Sequence, residues 1–192
     1  RCYSARHDPA NGQPWNASQL GRSLGLSYHA VARYVDLLEE AFLVRRLAPY
    51  HANIGKRLSK SPKVYWRDTG LLHALLGVED PDGLRSQPWV GTSWEGWVIE
   101  QILGALDATG RPWEAFFLRT SDQYEIDLLL RWRGLLWAFE IKLTTGPRSE
   151  DLLRLRRVAG LVGAERCALI SRTSRPTCSE TEGSLDLRAT IA

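Results

Sequence analysis

At 192 residues, with 44% hydrophobic and 24% charged side chains, the chain is long enough for one compact domain or two small ones. Its 16 glycines and 9 prolines are scattered, which excludes collagen-like, coiled-coil and disordered classes. Charges cut short the most apolar stretches, Leu128 to Leu130 and Leu135 to Ile141, so none approaches the ~18 residues of a membrane span.

Cys2, Cys167 and Cys178 show neither close pairing nor CxxC spacing, and no basic-then-apolar leader opens the chain. A reducing cytoplasm is the expected location. The chain begins at Arg1 and contains no Met, the pattern expected of the C-terminal piece of a longer protein. The net charge of +3 hides an asymmetry: residues 1–75 carry 11 Lys/Arg against 5 Asp/Glu, and residues 76–192 carry 14 against 17. Seven basic residues and no acid lie between Arg45 and Arg67, a local field that attracts phosphate.

In chain order, Asn16 caps a short helix with Leu20 and Leu24 four apart, Gly25 turns the chain, and Ser27 caps a second helix from Tyr28 to Glu40. Val31, Tyr34, Val35 and Leu38 recur there at helical spacing and are predicted to face inward, which leaves His29, Ala32, Arg33 and Asp36 outside. Phe42 to Leu47 has strand character, Pro49 to Pro62 forms a basic loop, and Lys63 to Trp66 reads as a returning strand. Helix, turn, helix and two-stranded wing is the order of a winged helix-turn-helix domain, assigned to residues 1–75. A helix fits the major groove while a basic hairpin lies along the backbone, so DNA is the expected partner. His29 and Arg33 are assigned to bases, and Lys56, Arg57, Lys60 and Lys63 to phosphates. The competing reading is a protein-docking module with a solvated basic loop.

Residues 76–192 form the second expected domain. Thr92 opens a helix. Ala115 to Thr120, Glu125 to Leu130 and Leu135 to Lys142 are apolar strands. Ser149 caps a helix to Val162, Arg166 to Ser171 makes a fourth strand, and Leu185 to Ile191 adds an edge strand. Acids interrupt this αβββαβ order. Strand alternation puts Asp127 opposite Ile126 and Leu128, and Glu140 with Lys142 opposite Trp137, Phe139 and Ile141. A carboxylate on a buried strand is costly unless paired or metal-bound, so a plain Glu140–Lys142 salt bridge is one reading. The other is metal-assisted phosphodiester cleavage, with Asp127 and Glu140 as hard-oxygen ligands of Mg2+ or Mn2+ and Lys142 beside the attacking water. Glu95 shares a helix face with Ile99, Ile102 and Leu106 and offers a third metal carboxylate; the alternative is a Thr92-x-x-Glu95 capping box. Glu100 is read as solvated. The chain has 21 arginines and four lysines, and Lys142 alone of the four lies outside the basic wing, which favours a site needing a compact donor.

Asp127, a twelve-residue gap and Glu140-Ile141-Lys142 resemble the PD-(D/E)XK, restriction-endonuclease-like superfamily. Arg119-Thr120 followed by Glu125-Ile126-Asp127 is similar to its Holliday-junction-resolvase-type members. More specific are Asn16-Ala17-Ser18-Gln19-Leu20, Tyr34-Val35-Asp36-Leu37-Leu38-Glu39, Lys60-Ser61-Pro62-Lys63-Val64-Tyr65-Trp66-Arg67-Asp68-Thr69-Gly70-Leu71-Leu72 and Gly91-Thr92-Ser93-Trp94-Glu95-Gly96. Together they resemble the C-terminal region of a prokaryotic family of AAA-type ATPases, a region catalogued as a domain of unknown function, from about Gly12 to Lys142. The resemblance implies an α/β chain with a winged helix followed by a nuclease-like domain, and an ATPase domain upstream that this chain lacks. The first eleven residues depart from the family pattern, and Ile126 stands where the superfamily has proline. Gly55-Lys56-Arg57 lacks the rest of a phosphate loop, so this chain is not expected to hydrolyse ATP. The expected function is a DNA-binding module with a metal-dependent deoxyribonuclease-like site; the alternative is a noncatalytic adaptor that binds DNA or protein.

Overall fold

Short polar caps start the N-terminal helices, and a computed structural model describes where they lead, over residues 11–51, 61–120 and 124–191. The chain divides into two compact units, the first holding described residues 11–47 and 61–97, the second 48–51 and 98–191. The sequential division at 75/76 thus falls within the first unit. Among the described residues, eight strands and seven helices make this a mixed α/β protein. None of the helices is long and apolar enough to cross a membrane.

In the first unit, α1 (Ala17–Leu24) begins where Asn16 Oδ1 accepts from the Gln19 N–H, and it ends on Gly25 in the left-handed region at φ 69°. A Cβ on Gly21 would sit 2.6 Å from the Leu26 carbonyl, so glycine lets the turn fold back over α1. Ser27 caps α2 (Tyr28–Glu40), and Val31 and Val35 are buried there. Val35 packs with Val44 and Val64, flanked by Trp15, Leu38 and Trp66. Tyr34, expected inside, is instead 58% exposed. The buried stripe of α2 is narrower than its apolar spacing suggested, because the eight-residue α1 covers little of it. β1 (Val44–Pro49) and β2 (Lys63–Trp66) pair antiparallel with Val44 opposite Trp66 and Leu47 opposite Lys63. Two short helices then follow, α3 (Thr69–Leu75), capped by Asp68, and α4 (Pro81–Arg85), capped by Asp80.

Helix α5 (Val90–Ala108) starts two residues before Thr92, and the Ser93 N–H already donates to the Trp89 carbonyl. Thr92 is therefore inside the helix, which removes the capping-box reading of Glu95. Ile99, Ile102 and Leu106 are buried as the helical spacing predicted, but Glu100, read as solvated, is only 9% exposed.

The second unit is a mixed sheet. β3 (Trp113–Arg119), β4 (Glu125–Trp132) and β5 (Leu135–Ile141) run antiparallel in succession. α6 (Ser149–Leu161) then crosses over to β6 (Arg166–Ile170), parallel to β5. β7 (Thr177–Cys178) and β8 (Glu182–Leu185) complete the order β3-β4-β5-β6-β8-β7, and Ala48 and Pro49 at the end of β1 lie parallel to Phe116 and Phe117. The expected late edge strand is corrected: only its first residue belongs to β8, and Leu187–Ile191 forms a short helix, α7. There the Asp186 carboxylate accepts from the Ala189 N–H and turns the chain into helix.

Leu155, Val158 and Ala159 of α6 pack on Ile126, Leu129, Leu136, Ala138 and Cys167. Trp137 and Phe139 line the other side of the sheet with Ile102 and Leu106 of α5. Their rings stack at 6.2 Å, and alternation along β5 holds as predicted. It fails along β4. A two-residue step along β3, Phe116 to Leu118, faces a three-residue step along β4, Leu129 to Ile126, so Ile126 and Leu129 enter one core despite odd spacing. This bulge breaks the two-residue period at Asp127 and Leu128.

Candidate functional site

The ladder between β4 and β5 ends with Leu128 opposite Phe139. Beyond that last pair the next residue of β4 is Asp127 and the next of β5 is Glu140. Asp127 is 8% exposed, and its Oδ2 accepts from the Ile141 backbone N–H at 2.8 Å. The carboxylate thus takes up the N–H that follows Glu140 where the bulged strand no longer continues the ladder.

Lys142, just past β5, sends its ammonium to the start of α6. Its Nζ is 2.5 Å from Asp151 Oδ1 and 4.0 Å from Glu140 Oε1. The plain Glu140–Lys142 pair is therefore the looser of two contacts, and the closer partner is an acid that sequence reasoning passed over. Asp151 Oδ2 also accepts from the Arg148 N–H at 3.1 Å, so Arg148, not Ser149, precedes the helix as its cap residue. The Lys142 hydrogen bond, with help from the Arg148 N–H, holds the Asp151 carboxyl below its ordinary value of 3.8. A depressed carboxyl contributes stability that is present above its unfolded value and is lost as pH falls through the folded one. Urea midpoints of wild type and Asp151→Asn should therefore differ at neutral pH and converge below about pH 4. Curves that stay parallel to the acid limit would contradict the ion pair.

Glu95 does not join a metal cluster. Its Oε1 accepts from the Tyr65 hydroxyl at 2.5 Å and from Lys63 Nζ at 3.0 Å. Among the described residues no three His, Cys, Asp or Glu side chains come together as a metal site, so the three-carboxylate set of Asp127, Glu140 and Glu95 is corrected. Two carboxylates remain. That still fits Mg2+, which commonly takes one or two carboxylates and keeps several waters.

The expected DNA contacts separate into three groups. His29 and Arg33 are exposed on α2. Lys56, Arg57 and Lys60 lie outside the described residues. Lys63 is 2% exposed, with its ammonium on Glu95, which corrects its assignment to phosphate. Arg46 also differs from the simple charge count, since its guanidinium is 2.5 Å from both Asp36 and Glu39. The basic field around β1 and β2 is partly neutralised from within.

Two families match the chain in succession. Residues 90–183 match the family described as a domain of unknown function (DUF4143). Residues 4–82 match another domain of unknown function (DUF8612). Uncharacterized protein Mb2031c of Mycobacterium bovis and Uncharacterized protein Rv2008c of Mycobacterium tuberculosis are each 44% identical over 144 residues, 75% of this chain and 32% of theirs. The chain thus spans about a third of the length of the curated relatives it matches. No solved structure matches it significantly.

Asp127, Glu140, Lys142 and Asp151 all fall within the DUF4143 match. Asp151 had a faint sequence signal, an acidic first turn at Glu150 and Asp151 after the lysine strand. Nothing in the spacing of Lys142 and Asp151 tied them together. Tyr65 was more legible: it shares a strand face with Lys63 by alternation. Gly96 makes the joint possible, because a Cβ there would meet the Tyr65 ring at 3.0 Å.

Proposed function

We propose that the second unit is a metal-dependent nuclease-like module in which Asp127 and Glu140 bind Mg2+ or Mn2+ and Lys142 serves the reacting phosphate or water. The first unit would be a winged-helix module that engages DNA through His29, Arg33 and the loop residues Lys56, Arg57 and Lys60. One observation carries the reading: the Asp127 carboxylate reaches the β5 backbone beside Glu140, and the Lys142 ammonium is 4.0 Å from Glu140. This gathers two hard-oxygen donors and a compact cation at one sheet position, the inventory that phosphodiester cleavage uses. A bound divalent ion supplies Lewis-acid charge and a water of lowered pKa. Asp127 and Glu140, on adjacent strands, would hold that ion. Lys142 donates to the phosphate oxygen or to the water, and Asp151 fixes the lysine from α6. The resemblance to an ATPase C-terminal region, together with relatives of which the match covers only 32%, supports an ATPase domain in the whole protein.

A second reading has its own support. The Lys142–Asp151 bond at 2.5 Å and the Asp127–Ile141 bond at 2.8 Å are what a purely structural ion network uses, as in a noncatalytic adaptor. Manganese separates the two. Under the nuclease-like reading, Mn2+ raises the thermal midpoint of the wild-type chain, Asp127→Asn and Glu140→Gln abolish the rise, and branched or plasmid DNA is cleaved only by wild type. A wild-type midpoint indifferent to Mn2+ and uncleaved DNA select the adaptor.

A further inference from the structure

At the end of the sheet away from Asp127 and Glu140, two segments of the second unit form a cleft of about 580 Å³. One is the entry to β3, with Arg111 and Trp113. The other is the β4–β5 hairpin, with Arg131, Trp132 and Arg133. Trp113 faces Trp132 across the strands, so two indoles share one side of the sheet end. Three guanidiniums and one carboxylate, Glu114, line the same cleft, which leaves it net positive. Arg131 is partly occupied, 3.5 Å from Glu114 and within reach of the Tyr50 hydroxyl at 3.4 Å. Arg111 and Arg133 have no anionic partner among the described residues.

The turn itself is unusual. Arg133 has φ 52° and Gly134 φ 76°, so both central residues of the two-residue hairpin are left-handed, the pattern of a type I′ turn. Asn-Gly is the favoured pair for that geometry, and a long side chain at its first position is strained. The strained residue is the one whose guanidinium lies 4.3 Å from the Trp132 ring centroid. A residue kept against its backbone preference and aimed over an aromatic at a basic cleft suggests use rather than folding.

We propose that this cleft binds single-stranded nucleic acid, with Arg111 and Arg133 on phosphates, Arg133 held over the Trp132 ring, and the Trp113 indole, which donates its N–H to Asp107, as the stacking platform for a base. Exposed strands are recognised by this combination, a basic groove tracking the backbone and flat rings that accept any base. An acidic peptide would use the arginines but make no use of the Trp113 ring. Duplex DNA keeps its bases stacked on one another and would gain only the charge. The cleft volume lies within the ~300–1,000 Å³ range of sites that enclose a small-molecule-sized group, the class of a nucleotide. This site is independent of the acidic site.

The test uses the 192-residue chain in EDTA, so that no divalent ion contributes, and a fluorescein-labelled oligothymidylate of about 12 nucleotides. Arg133→Asn creates the favoured turn pair, and it should raise the thermal midpoint by about 1–4 °C. The same variant should weaken binding of the oligothymidylate several-fold and reduce the slope of log K against log salt by about 0.7. Trp113→Ala should cost at least about fivefold. Affinity for a duplex of the same length, which gains only the charge, should be unchanged by Trp113→Ala, and polyglutamate should not displace the oligothymidylate. A more stable Arg133→Asn that binds as tightly as wild type overturns the proposal. So does a Trp113→Ala variant that loses as much affinity for the duplex as for the oligothymidylate, or efficient displacement by polyglutamate. Because no metal is present and Asp127 is untouched, success or failure here is independent of the outcome at the acidic site.

Discussion

Glu95→Ala is expected to destabilise the first unit by about 3–5 kcal/mol, the cost of removing one partner from a buried ion pair. Lys63 has 3% of its side chain exposed and Glu95 15%, so water can do little to replace the lost carboxylate. The same oxygen accepts the Tyr65 hydroxyl, and Tyr65 is fully buried. One substitution therefore removes the acceptor of both a charged and a neutral donor. Glu95→Gln keeps an oxygen for the tyrosine and should cost less. Lys63→Met combined with Glu95→Leu should cost less than the sum of its single variants, since replacing both ions leaves no charge stranded. Urea unfolding followed by circular dichroism measures all of these variants. A Glu95→Ala variant within about 1 kcal/mol of wild type would mean that the pair contributes little and that Lys63 is freer than its burial implies.

The Glu95 joint explains why two of the most distinctive sequence segments, Lys63 to Trp66 and Gly91 to Gly96, go together. Their residue types were visible in the sequence; that they answer to each other was not. Lys63 looked like a wing cation because its neighbours in sequence are basic, and only the pairing of β2 against β1 turns it inward. Local patterns carried further in the second unit. Apolar runs broken by polar turns located β3, β4, β5, α6 and β6, and alternation placed Trp137 and Phe139 correctly on β5. Alternation has no means of seeing a bulge, because the extra residue is defined by the partner strand. Short elements escaped for a related reason: α3, α4 and β7 are too brief for a period to repeat within them. Asp151 escaped because its meeting with Lys142 depends on how α6 lies across the sheet.

Asp127 is where the two readings of the acidic site make different demands on one side chain. As a bulge cap it needs only an oxygen that accepts from Ile141; as a metal ligand it needs negative charge. Asp127→Ala removes the acceptor from a buried N–H, and should cost about 1–3 kcal/mol in metal-free buffer. Asp127→Asn can present its amide oxygen to the same N–H and should stay within about 1 kcal/mol of wild type there, because a neutral acceptor replaces a charged one. Amide exchange at Ile141 reports the bond directly: protection should be lost in the alanine variant and kept in the asparagine variant. Adding Mn2+ then divides the possibilities. If Asp127 is a ligand, wild type gains stability and Asp127→Asn does not, although its Ile141 bond is intact. If Asp127 only caps the bulge, the two respond alike. Should Asp127→Asn prove as damaging as Asp127→Ala without metal, the charge itself is structural, and the carboxylate is held by cations of the fold rather than kept ready for an ion from solution.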